Sequence, residues 1–208
     1  TTFERGWIQD LGKGHYYKRF LQFMDEPAIT SKDIVMLGNS LTEGGGDWSA
    51  RLGKKNVRNR GIIGDEVMGI YDRLHQILPG HPAKLFLLIG VNDISHNLTS
   101  DSIVSMIRMT IERIRKESPD TKLYLQSLLP FNESFGRYKS LTGKTDMVPE
   151  VNARLEALAK EKDIAYINLF PLFTEKGTNV LRSELTGDGL HLNEDGYRIW
   201  VKAIKKKI

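Results

Sequence analysis

Cysteine is missing from all 208 residues, which excludes a thiol nucleophile, a disulfide framework and thiolate metal sites. Long apolar runs are missing too. The longest, Leu85 to Val91, contains Gly90 and falls far short of the roughly 18 or more residues that a membrane-spanning helix requires, so no membrane span is expected. Of the five histidines, His15, His75, His81 and His96 show neither His-x-x-x-His nor His-Glu-x-x-His spacing, and no metal and no cofactor is expected. A phosphate-binding loop is absent as well: Gly44-Gly45-Gly46 follows an apolar run, but Gly53-Lys54 has Trp48 where the first glycine of that motif should stand. The net charge of +4 is concentrated in Lys202, Lys205, Lys206 and Lys207, which read as the solvated face of a terminal helix. No reading motif is interleaved with them, so no nucleic-acid partner is expected. The chain opens on Thr1 rather than methionine, from which a processed N terminus and an exported protein are expected.

With 40% hydrophobic and 27% charged residues, the composition is that of an ordinary globular protein. Neither a linker nor a repeat divides it, and one domain over residues 1–208 is expected. Short β-rich runs at 34–38, 56–59, 85–90, 122–128 and 164–168 alternate with stretches of helical period, the pattern of an α/β protein whose parallel sheet is covered on both faces. Helices are expected at 65–78, 100–116, 148–162 and 194–207, with another near 14–24. Thr99/Ser100 and Asn193 provide cap signals for two of them. Trp7, Trp48 and Trp200 read as packing residues, with lining the pocket the alternative for Trp48, just past the serine loop. Residues 130–149 form one long connection without a period. Its Phe131, Asn132, Phe135, Arg137 and Tyr138 mix aromatic and hydrogen-bonding groups, as a substrate wall would, and equally as a surface flap packing its own aromatics would.

Ser40 lies just after the first apolar run, in Gly38-Asn39-Ser40-Leu41-Thr42. Three other segments fall at or after the ends of other predicted elements: Gly61-Ile62-Ile63-Gly64-Asp65, Gly90-Val91-Asn92-Asp93 and Asp188-Gly189-Leu190-His191. In a parallel sheet the carboxyl ends of the strands converge on one edge, where such sheets place their chemistry. An unassisted serine hydroxyl is a poor nucleophile, but these segments offer a base, an orienting carboxylate and oxyanion donors. The alternative nucleophile elbow Gly-x-Ser-x-Gly fails at Thr42.

On these blocks the chain resembles the SGNH hydrolase family, also called GDSL-type esterases and lipases, over Ile34 to Trp200. The family's Ser, Gly, Asn and Asp-x-x-His blocks match as Ser40, Gly64, Asn92 and Asp188 with His191. One departure is Asn39, where the family usually has aspartate. The resemblance implies a three-layer α/β/α flavodoxin-like fold with a five-stranded parallel sheet in the order 2-1-3-4-5.

Family and chemistry assign the same roles. Ser40 is expected to attack an acyl carbon, His191 to accept its proton, and Asp188 to hold the imidazole. The oxyanion is expected to be met by the backbone N–H groups of Ser40 and Gly64 and the Asn92 side-chain amide, with Gly64 admitting close backbone approach. Trp48, Phe131, Asn132 and Tyr138 are expected to bind substrate. The partner expected is a small-molecule or carbohydrate ester, with short acyl (acetyl) groups ahead of lysophospholipid, thioester or aryl ester substrates. A binding module that keeps the cleft without turnover is the alternative, favoured by Asn39 alone.

Overall fold

Aliphatic side chains on both faces of a strand leave it no choice but burial between two layers. That is where Ile34–Gly38 (β1), with every residue buried, lies. In this computed structural model, which describes residues 14–208, β1 pairs in parallel with Val57–Gly61 (β2) and Lys84–Leu88 (β3). Lys122–Gln126 (β4) and Ala165–Ile167 (β5) extend the sheet beyond β3. The order of the five strands is β2-β1-β3-β4-β5, the one expected. Trp7 lies outside the described residues.

The helices are His15–Asp25 (α1), Ser40–Glu43 (α2), Trp48–Leu52 (α3), Val67–Arg73 (α4), Val91–Ser95 (α5), Ser100–Glu117 (α6), Met147–Glu161 (α7), Phe170–Phe173 (α8) and Glu194–Ile204 (α9). On one face α4 packs on α6 and α6 on α7. There the Ile103, Ile107, Ile111 and Ile114 stripe of α6 is wholly buried. The α1 helix joins this face through the Arg60 guanidinium, which lies 4.5 Å from the Phe23 ring. On the other face Trp48 of α3 meets Trp200 of α9 edge-on, with ring centroids 5.0 Å apart. The expected caps form: the Thr99 side chain accepts from Ser102 N–H, and that of Asn193 from Gly196 N–H. The expected 65–78 helix is shorter, because after Arg73 the backbone tightens into two 3-10 turns that carry the chain back to β3. No helix among the described residues is long and apolar enough to cross a membrane.

Register is what positions the site. Gly38 is paired with Gly61 on one side and with Leu88 on the other. The segments leaving β1, β2 and β3 therefore emerge level with one another at the carboxyl edge of the sheet.

Candidate active site

Ser40 begins α2 directly after β1. The turn is closed by Asn39, whose Oδ1 accepts the Leu41 N–H at 3.0 Å. This is the bond a capping aspartate would make, so Asn39 preserves the turn. Its Nδ2 is buried with no hydrogen-bond partner among the described residues. The helix is then fixed from three directions. Tyr197 Oη donates to the Leu41 carbonyl at 2.7 Å, Trp48 Nε1 to that of Thr42 at 2.9 Å, and Asn59 Nδ2 to those of Thr42 and Glu43, each at 3.1 Å. Ser40 itself is only 9% exposed.

His191 reaches Ser40 across 151 positions of sequence, with Nε2 2.9 Å from Oγ. Its Nδ1 lies 2.6 Å from Asp188 Oδ2. The other carboxylate oxygen, Oδ1, accepts the backbone N–H groups of Leu190 at 2.9 Å and His191 at 2.8 Å. Asp188 and His191 are therefore locked within one turn. Partial burial pushes the Asp188 carboxyl up. Hydrogen bonds from the His191 ring, the two backbone N–H groups and Tyr138 outweigh it and hold the carboxyl well below the usual carboxylate range. Gly189 is needed here on two counts: its φ is +89°, and a Cβ would stand 2.4 Å from the Asn132 carbonyl oxygen.

Gly64 follows β2 with φ +83°. A Cβ there would meet nothing within 4 Å, so the left-handed backbone, rather than crowding by the protein, explains the glycine. Asn92 sits in α5 just past β3, and its Nδ2 donates to the Asp65 carbonyl at 2.9 Å. That bond uses one of two amide hydrogens and ties the β3 exit to the β2 exit. Beneath them Arg73 is fully buried. Its Nε donates to Asp65 Oδ2 at 2.9 Å and its Nη2 to the Gly38 carbonyl at 3.0 Å. Burial raises the neighbouring Asp93 carboxyl to about 7, and the Glu66 charge adds to the rise.

Of the four side chains expected to contact substrate, two are core. Trp48 is 0% exposed, because the Asp47 cap turns its indole inward beneath α2, where it supports the serine turn from below. Phe131 is 1% exposed and packs with the hydrophobic core. The Asn132 amide is committed locally, Oδ1 accepting from the Ser134 hydroxyl at 2.6 Å and Nδ2 donating to the Leu181 carbonyl at 3.1 Å. Its backbone N–H donates to the Gly189 carbonyl at 2.7 Å, so Asn132 braces the histidine turn. Tyr138 does reach the site, but at Asp188: its hydroxyl donates to Oδ2 at 2.9 Å. Sequence reasoning missed that contact, the Arg73–Asp65 pair and Thr186, whose hydroxyl accepts the Gly189 N–H at 2.9 Å. Only Thr186, two residues before Asp188 in a Gly-rich turn, carried a local signal. Among the described residues no group of three or more His, Asp or Glu side chains is placed to hold a metal ion.

A family model described as the GDSL-like Lipase/Acylhydrolase family matches residues 36–199. No curated protein matches the chain. A structure from Streptococcus pneumonia named for a platelet activating factor is 22% identical, with a TM-score of 0.85 over 100% of this chain and 99% of the other. A GDSL-like lipase from Bacteroides thetaiotaomicron is 24% identical, with a TM-score of 0.80 over 93% of this chain and 97% of the other. An acetyl xylan esterase is 20% identical, with a TM-score of 0.69 over 85% of this chain and 99% of the other.

Proposed function

The chain belongs to the GDSL-like lipase/acylhydrolase family, and on that premise we propose that it hydrolyses short-acyl esters, acetyl esters of carbohydrates first among them, with Ser40 as nucleophile. The observation that carries this reading is the continuous Ser40–His191–Asp188 relay, with contacts of 2.9 and 2.6 Å.

In this reading Ser40 Oγ attacks the acyl carbon while His191 Nε2 takes its proton. The imidazolium is stabilised by Asp188, which the geometry keeps ionised. The tetrahedral oxyanion is met by the N–H groups of Ser40 and Gly64 and by the second Asn92 amide hydrogen, the one not given to Asp65. Collapse expels the alcohol, which leaves with the proton from His191. Water then attacks the acyl-enzyme with His191 again as base, releasing the acid and restoring Ser40.

The short-acyl preference is supported by the 130–149 flap, which is tied down rather than open. Glu133 Oε2 accepts from Gly143 N–H at 2.9 Å and Thr145 Oγ1 at 3.0 Å, and Lys144 Nζ donates to the Ile94 carbonyl at 3.2 Å. The carbohydrate preference is supported by Phe135, 39% exposed and beside Gly189, with exposed Arg137 close behind. An aromatic face and a hydrogen-bonding cation suit a sugar. The acetyl xylan esterase among the structural neighbours has the same tendency in its name. A longer acyl chain is favoured by one feature, Ile63, 52% exposed next to Gly64.

The test is kcat/KM for acetyl and octanoyl esters of one alcohol, followed by a panel of acetylated sugars. Acetyl esters should be the better substrates. A preference for octanoyl would move the assignment to Ile63 and a lipase or thioesterase activity.

A further inference from the structure

The Tyr138 hydroxyl stands at the far end of the relay from the serine. It donates to Asp188 Oδ2 at 2.9 Å, the same oxygen that faces His191 Nδ1 at 2.6 Å, and lies 3.2 Å from that Nδ1. The phenol ring meets the imidazole edge to face, with centroids 5.7 Å apart at 73°. A residue lining a substrate wall keeps its polar tip free for the ligand, whereas this tip is committed to the carboxylate.

The flap is built to hold it there. Leu141, three residues on, is buried in the core. Lys144 Nζ donates to Asn97 Oδ1 at 2.7 Å and the Ser140 carbonyl at 2.6 Å. The flap is thus fastened at one end to the loop that follows Asn92's helix and, at Tyr138, to Asp188. We propose that Tyr138 is a positioning residue of the hydrolytic site, its hydroxyl fixing Asp188 Oδ2 against His191 and moderating the pull of that carboxylate on the imidazole. This rests on the ester-hydrolase reading above.

A charge-assisted O–H···O⁻ bond withdraws electron density from the oxygen that accepts it. Oδ2 with two donors is therefore a weaker acceptor for His191 Nδ1–H than Oδ2 with one. The groups facing the imidazole are Asp188 on its own turn, Tyr138 on the flap with the Arg137 charge beside it, and Ser40 on α2. The Arg51–Glu194 pair at the start of α9 is mutually satisfied at 2.7 Å. Deleting the hydroxyl alone should therefore leave the imidazolium better stabilised but less well aimed. Burial pushes the Tyr138 phenol up, and its bond to Asp188 adds to that, so the hydroxyl stays a donor through the working range of a histidine base.

Tyr138→Phe removes the hydroxyl and keeps the ring. With p-nitrophenyl acetate it should lower kcat by roughly three- to tenfold, leave KM within about twofold, and move the acid limb of kcat/KM upward by ~0.5–1 pH unit. The same shift is read without turnover from ring ¹H–¹⁵N correlations of His191, titrated in Ser40→Ala and in Ser40→Ala/Tyr138→Phe. An upward midpoint shift in the double variant sustains the proposal even if the ester assays fail, which would instead count against the hydrolase reading. Identical His191 titrations would overturn it. So would a Tyr138→Phe enzyme with raised KM and an unmoved acid limb, the signature of a substrate wall.

Discussion

Around Ser40 the chain is held by buried rings and by a short helix pressed onto the sheet, whereas around His191 it is held by polar groups bonding to backbone in a half-exposed turn. On the serine side Trp48, Trp200 and Tyr197 form one aromatic cluster beneath α2. On the histidine side the fixing contacts are Thr186 Oγ1 with Gly189 N–H, Asp188 Oδ1 with two backbone N–H groups, and Asn132 N–H with the Gly189 carbonyl. In the proposed reading Ser40 is the nucleophile and His191 the base: a nucleophile must not move, and dense packing fixes it at the level of the fold. A base must cycle between charge states, and directional hydrogen bonds accommodate that where an apolar wall would penalise it.

The comparison breaks first at Ser40. Ser40→Ala removes a hydroxyl whose side-chain hydrogen-bond partner among the described residues is His191. It should therefore fold with unchanged stability while activity falls by roughly 10⁴-fold or more. Fluorophosphonate labelling checks it, and a variant that still takes up the probe at one site would remove Ser40 from the reaction.

The two supports should then differ in urea unfolding. Trp48→Ala empties a fully buried indole site and should cost about 3–5 kcal/mol. Thr186→Ala loses a loop hydrogen bond and should cost about 1 kcal/mol. Equal losses would mean that the histidine turn is as much a part of the core as the serine turn.

Asn92→Ala should lower kcat by roughly 10²–10³, about 3–4 kcal/mol, with KM much less affected. Stopped-flow acylation measures this directly. A normal acylation rate in the folded variant would leave Asn92 with only its bond to the Asp65 carbonyl.

An effect visible only through pH is expected at Asp93, where a carboxyl raised to about 7 is protonated in the folded chain over a range where the unfolded chain, near ~3.9, has released its proton. Its contribution to stability is complete below about pH 4 and is lost as pH rises toward 7. Relative to wild type, Asp93→Asn should gain about 3 kcal/mol in urea stability between pH 5 and pH 8. Parallel stabilities would show that Asp93 is ionised throughout.

The same contrast explains what could be read from the sequence. Strand runs, the α6 stripe and the Ser, Gly, Asn and Asp-x-x-His blocks were legible because periodicity and local motifs carry them. The strand boundaries moved by one or two residues, as with β2 at 57–61 against the expected 56–59. Phe131 was misplaced, and Trp48 could be read as packing but not kept from the pocket, because an aromatic residue near a strand exit looks alike whether it faces a cleft or the core. Which way it turns depends on distant partners such as Trp200 and the Leu181 segment. Tyr138 was legible as belonging near the site but not in its contact with Asp188, since nothing local links positions 138 and 188.

The 151-residue interval between Ser40 and His191 also has a meaning in time. A ribosome makes the serine turn well before the histidine turn, and all five strands of the sheet are complete by Ile167. A chain halted there has its serine in place and no histidine beside it. In the proposed reading such a chain stays inert toward esters until the segment bearing Asp188 and His191 docks beside Ser40, so hydrolysis begins only once that segment has folded onto the sheet.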